Sequence, residues 1–298
     1  MKPLSKFGSQ SRYSYRPITE EVNYKWPKGK GLAVYLAVNL EVYDLNATTF
    51  DTLVPNSSKL DLINYCWLDW GNRVGAWRLL EAINEYKIPT TALINTNLYS
   101  TRPGLVDAWR SVGCEIAAHG RTNGETQANM SEQEETKLIS EVTASITENE
   151  GIPPKGWLGP WLAETPLTLD LLAEAGYEYV LDWCADDRPF FMNTRKGKIL
   201  SVPYPLEAND ANAIGVRGTT ATEFTNLCLA QIDEMMRQAE NGPIVSPIAV
   251  HPHIIGQAHR LHEFRNVLAR LSELREELWL TCAKEIASVV CHEGNNSV

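Results

Sequence analysis

Short apolar runs alternate along this chain with stretches whose apolar residues recur at helical spacing, and the alternation predicts strands and helices in turn. Residues 32–40, LAVYLAVNL, are apolar nearly throughout, as a strand buried on both faces must be. Residues 74–86 place Val74, Trp77, Leu80 and Ile83 on one helical face. Between these two lies WLDWGN, residues 67–72, which reads as an aromatic-rich loop. Residues 90–95 form the next predicted strand, 104–112 a helix, and 114–118 a third strand that ends in His119-Gly120. Ser131 stands three positions before Glu134, a capping-box pattern opening a helix that runs to residue 149. A short strand at 155–161 breaks in a Gly-Pro turn, and a helix starting at Thr165-Pro166 stops at Gly176. Strands at 177–181, 199–204 and 247–250, helices at 222–239 and 263–275, and a closing strand and helix over 279–290 complete the pattern.

Strand followed by helix, repeated seven or eight times, predicts a parallel sheet with right-handed crossovers, and hence an α/β fold of the distorted (β/α) barrel kind. The length of 298 residues suits one such barrel, for which about 250 is typical. Residues 1–30 lack periodicity and read as an N-terminal arm laid over the body or over a neighbouring subunit, with 31–298 a single catalytic domain. Most predicted strands end in a polar group. Glu41, Asn95, His119, Trp161, Asp182, Tyr204 and His251 should therefore gather at one end of the barrel, where barrels of this class present their active sites.

Charge and cysteine usage narrow the partners. A formal net charge of −10 without a basic tract argues against nucleic acid and against anionic membranes. The apolar run at 31–40 is too short to span a bilayer. Six scattered cysteines, with no CxxC pair, read as free thiols in a reducing compartment, so a cytoplasmic location is expected.

The segment 248–261, IAVHPHIIGQAHRL, carries the densest candidate chemistry: an apolar strand delivers His251, His253 and His259 in quick succession, with His262 next. Glu41, at the end of the first strand, is the first candidate carboxylate. A His-rich surface loop and a helix cap are the respective alternatives.

In order along the chain, NLEVYD, EIAAHGRTN, GWLGPW, LDWCADDRP, VPYPLEAND and VHPHIIGQAHR resemble the polysaccharide-deacetylase superfamily. Within it, the DDRP and PYxxxxND segments are most similar to the branch of cyclic-amide hydrolases holding the metal-independent allantoinases and the cyclic imidases. The resemblance runs from Tyr13 to Ala287 and implies a distorted (β/α) barrel. The metal-dependent deacetylases have paired aspartates after the first strand and His-x-x-x-His after the third. Here Glu41 stands where the aspartates belong, and His119 is followed by Asn123, whose amide is a poor zinc ligand. The resemblance therefore implies a small-molecule cyclic amide as substrate and no required cofactor, with a divalent metal such as Zn²⁺ on Glu41, His119 and His251 as the alternative. It also implies a homo-oligomer, a tetramer in particular.

Opening a ring amide needs an activated water, a polarised carbonyl and a proton for the departing nitrogen. General base work contributes about 10²–10⁴-fold, and each donor aimed at the oxyanion about 10²–10³-fold. Glu41 is assigned to the water, His119 to the oxyanion or the proton, His251 or His253 to the leaving nitrogen, and Asp182 to orienting an imidazole. Trp161, Trp183 and Tyr204 would wall a planar ring, and Asn123, Gln257 and Arg260 would read its carbonyls. Plain core packing for the tryptophans, a strand-end cap for Asp182 and a surface ion pair for Arg260 remain open. A metal-dependent deacetylase and a non-catalytic binding barrel are the rival functions.

Overall fold

The computed structural model describes residues 11–22, 24–45, 53 and 60–294. The expected arm's first ten residues lie outside them. Strand β1 (Leu32–Leu40) is buried at every position and holds the sheet together. It is followed by helices α1 (Leu62–Trp70) and α2 (Ala76–Tyr86), strand β2 (Thr90–Ile94), helices α3 (Asn97–Thr101) and α4 (Pro103–Ser111), and strand β3 (Glu115–Ala118). Helix α5 (Glu132–Glu150), β4 (Gly156–Trp157), α6 (Thr168–Ala175), β5 (Tyr179–Val180), β6 (Phe190–Thr194) and β7 (Gly197–Ser201) come next. Helix α7 (Ala221–Gln238), β8 (Ile244–Val250), α8 (Pro252–Ile255), α9 (Ala258–Glu273), β9 (Trp279–Thr281) and α10 (Ala283–Gly294) complete the order.

The sheet runs β6-β7-β5-β4-β3-β2-β1-β8 and is parallel except for the β6–β7 hairpin. One edge of β1 is shared by two strands: β9 pairs with residues 33–35 and β2 with residues 36–40, while β8 lines the other edge. The curl is closed by the segment after β7, where Ala249 N–H donates to the Ala208 carbonyl and Asn209 bridges Ala249.

Side-chain parity divides the core into two layers, because successive residues of a strand face opposite ways. Leu32, Val34, Leu36, Val38 and Leu40 pack beneath the helices. Ala33, Tyr35 and Ala37 pack inside the curl with Leu93, Ala117, Leu181, Val202, Tyr204 and Ala249. The interior file of β1 continues through Asn39 to Glu41, that of β3 from Ala117 to His119, and that of β8 from Ala249 to His251. Period two thus delivers three polar groups to one mouth.

Several expected elements differ. Residues 67–72 are helical: Asp61 accepts the Asn64 N–H at 3.2 Å as N-cap, α1 passes through a π-turn, Gly71–Gly75, directly into α2, and the tryptophans pack rather than loop. The strand read over 155–161 is cut to two residues by a 3-10 turn at Pro160–Leu162. Strand β6 was absent from the expectation: it is short, only Met192 of it is buried, and its three apolar residues are too few to set a period. Helix α9 starts five residues before the predicted 263, with Gln257 as its N-cap. In the arm, Arg12 donates to both Asp170 oxygens at 2.8 and 2.9 Å, a buried pair that pins it to α6, and the Trp26 indole donates to the Ile244 carbonyl.

Candidate active site

Glu41, His119 and His251 meet at the C-terminal ends of β1, β3 and β8, all three buried. Oxygen Oε1 of Glu41 lies 3.4 Å from His119 Nε2 and 3.6 Å from His251 Nε2. The Leu158 carbonyl, 2.8 Å from His119 Nδ1, can only accept, so this nitrogen carries the proton. Asp210 grips His251 twice: Oδ1 is 2.7 Å from Nδ1, and Oδ2 accepts the His251 backbone N–H at 2.9 Å. Both rings are therefore anchored through Nδ1, and each presents Nε2 to the same carboxylate oxygen as its proton-exchanging position.

The other Glu41 oxygen, Oε2, accepts from the Tyr43 hydroxyl at 2.7 Å. Tyr43 in turn accepts from Asn123 Nδ2 at 3.1 Å, and the Asn123 carbonyl accepts from the Trp161 indole at 2.8 Å. Asn95 ties the strand ends together, accepting from Val42 N–H at 2.9 Å and donating to the His119 carbonyl. Burial pushes the Glu41 carboxyl up, but the charge of His251, the hydrogen bond and charge of His119 and the more distant His253 together outweigh it, and its pKa is held below the usual carboxylate value. Glu41 is thus a carboxylate at neutral pH, in a place where burial by itself disfavours the charge.

The remaining expected residues scatter around this centre. Tyr204 is buried inside the curl and exchanges hydrogen bonds with Asn39, 3.1 Å away at the Asn39 nitrogen. His253 packs edge-on between Trp67 at 4.8 Å and His251 at 5.7 Å between ring centroids. Trp161 is half-buried on a turn where it and Leu162 both adopt positive φ, 65° and 53°. Arg260 donates to the Ile254 carbonyl at 3.3 Å, and its neighbour Gln257 caps α9. Trp183 donates to Glu164 at 3.0 Å and stacks edge-on against Tyr13 of the arm, away from the imidazoles.

Asp182 does not orient an imidazole. Its Oδ1 accepts the Gly159 N–H at 2.7 Å, and its Oδ2 is buried without a hydrogen-bond partner. Parity explains the difference: Val180 faces the helices and Leu181 the interior, so Asp182 falls on the outer side. The orienting carboxylate is Asp210, which sequence reasoning left without a role. Its signal was the PYxxxxND segment, which runs beside β8 and brings Asp210 level with the strand's end. Tyr43, two residues after Glu41, was missed for want of any charge.

Among the described residues, no group of three His, Cys, Asp or Glu side chains is arranged to hold a metal ion. Asn123, in the place of a second histidine, turns its amide nitrogen to Tyr43, and Tyr43 occupies one Glu41 oxygen. The residues do not fit a closed metal centre. No described helix is long and apolar enough to cross a membrane.

Residues 63–180 match the polysaccharide deacetylase family model. A Schizosaccharomyces pombe protein that carries the polysaccharide deacetylase name is 22% identical over 294 residues, covering 88% of this chain and 91% of that protein. A peptidoglycan deacetylase of Helicobacter pylori is 29% identical over 195 residues, spanning 63% of this chain and 64% of its own length. Among solved structures, that of Puue allantoinase superposes with a TM-score of 0.82 at 23% identity, over 94% of this chain and 98% of the other. The fold is accordingly the curled α/β barrel of the polysaccharide deacetylase type.

Proposed function

We propose that this protein is a hydrolase of C–N bonds other than peptide bonds, and that it opens a cyclic amide, an imide or a ureide, with water activated by acid–base side chains. One observation carries the reading: a buried, ionised Glu41 faces the Nε2 atoms of two imidazoles, each anchored through Nδ1. In this scheme Glu41 takes the proton of the attacking water. One imidazole, His119 or His251, doubly protonated in this scheme, donates from Nε2 to the oxygen that becomes negative; the other, likewise doubly protonated, gives its Nε2 proton to the leaving nitrogen and regains one from Glu41. The C–O bond forms first, giving a tetrahedral adduct, whose collapse breaks the C–N bond to leave a half-amide or its ureide counterpart. A ring imide has an electron-poor carbonyl, so a base worth about 10²–10⁴-fold and donors of about 10²–10³-fold each suffice without a metal. The nearly complete overlap with an allantoinase supports the reading, although it bears on the fold alone.

The family match and the peptidoglycan deacetylase relative favour a second reading, removal of an N-acetyl group with a divalent ion. Purified protein assayed against succinimide, maleimide, hydantoin, allantoin and N-acetylglucosamine oligomers, with and without EDTA, separates the two. Ring opening that persists in EDTA is the expected result. Acetate release that EDTA abolishes and Zn²⁺ restores replaces this reading with the second, and no turnover on any probe points to a non-catalytic barrel.

A further inference from the structure

The helical stretch from α1 into α2 is widened by the π-turn Gly71–Gly75, and this turn touches the candidate site from two sides. Asn72, itself buried, donates its Nδ2–H to the backbone carbonyl of Glu41 at 2.6 Å, just past the last β1–β2 ladder pair, Leu40 with Ile94. On the other side the turn lies against α8. A Cβ on Gly71 would fall 2.8 Å from His253 Cβ and 2.9 Å from its backbone nitrogen, and one on Gly75 would fall 2.1 Å from the Pro252 carbonyl oxygen. A Cβ on Gly256 would in turn meet Gly75 Cα at 2.5 Å. Helix α8 is built on His251, whose carbonyl accepts from both Ile254 and Ile255 at 2.9 Å. Backbone therefore interlocks with backbone, and only glycine allows the approach.

We propose that this π-turn sets the separation between Glu41 and His251, with Asn72 as the positioning residue that registers Glu41 against the histidine strand. A regular α-helix turns each residue by about 100°, so losing the extra residue of the π-turn would swing the Asn72 amide off the Glu41 carbonyl. Gly71 and Gly75 of GNRVG are thereby explained, which the apolar face starting at Val74 does not do. This positioning role deepens the ring-opening reading, on which its kinetic test rests, while its structural test stands alone.

The experiment compares wild type with Asn72→Ala and Asn72→Asp, with succinimide or whichever ring probe the wild type opens. A displacement of about 1 Å in a catalytic pair costs about 10²-fold, so kcat should fall about 10–100-fold with KM within about 3-fold. Asn72→Asp, which sets a carboxylate against a carbonyl, should lose more than Asn72→Ala although it is nearly isosteric. Crystal structures of the two variants should show the Glu41–His251 distance lengthened beyond the wild-type value. An unchanged distance, or a lowered melting temperature with kcat intact, overturns the proposal. Should wild type open no ring, the functional reading fails, and the two crystal structures still decide the positioning role. Gly75→Ala is a harsher variant, and the conclusion does not depend on its folding.

Discussion

Glu41 and Asp182 both follow buried strands, and both carry largely buried carboxyl groups, yet their surroundings drive them in opposite directions. Glu41 faces His119, His251 and the Tyr43 hydroxyl, and these hold it ionised. Asp182 has the Gly159 N–H on one oxygen and Glu164 as its charged neighbour. Burial, then the Glu164 charge, push the Asp182 carboxyl well above its ordinary value. Burial pushes Glu164 itself up to about 8, with Glu135 adding to the rise against the Trp183 hydrogen bond. A carboxylate at a strand end is thus an ambiguous sign. What faces it decides whether the proton stays off or on, and parity decides what faces it.

Three measurements would break or sharpen this contrast. The largest expected effect is on Glu41: Glu41→Gln should lower kcat/KM for a ring probe by about 10³-fold at neutral pH with the fold retained, whereas Asp182→Asn, still able to accept from Gly159, should stay within about 3-fold. Equal losses in the two variants would erase the distinction. Next, Asp210→Asn removes the charge behind His251 and lets an amide compete for the wrong tautomer, and kcat should fall about 10²-fold. An unaffected kcat would mean that His251 needs no orienting.

The smallest effect concerns stability. Glu164 has its pKa raised in the fold, so its favourable contribution is fully present below the ordinary carboxyl value of 4.5 and is lost as pH rises towards about 8. Thermal melts of the wild type should therefore decline across that window, and Glu164→Gln should flatten the decline, gaining about 2–4 °C at pH 8. Parallel pH curves for the two proteins would show that Glu164 ionises at no cost. Glu41 has the opposite sign: its lowered pKa contributes stability above 4.5 that is lost as pH falls through the folded value.

Much of this architecture was legible beforehand because the strands that carry the site are the most apolar. The all-buried β1 and the run into His251 announce themselves by composition, and the period-two alternation of β5 turns Asp182 outward. What escaped depends on partners distant in sequence. Asp210 acquires its role only because an irregular segment pairs with β8, a contact that no local pattern encodes. The aromatic stretch at 67–72 looked like a loop because tryptophan and glycine are indifferent helix formers, and tertiary contacts overrode that weak preference. Hairpin strand β6 buries only Met192, and its Phe-Phe-Met run shows no alternation by which a strand could be recognised.

The turn that holds Trp161 and Leu162 in left-handed backbone space has a mechanical consequence. Such conformations cost about 1–3 kcal/mol each for residues with a side chain, and here the surrounding fold sustains two in a row. The indole is the first link of a short tether, through the Asn123 carbonyl, the Asn123 amide and the Tyr43 hydroxyl, that terminates on the Glu41 carboxylate. Any displacement of the indole would therefore be passed along this tether to the carboxylate.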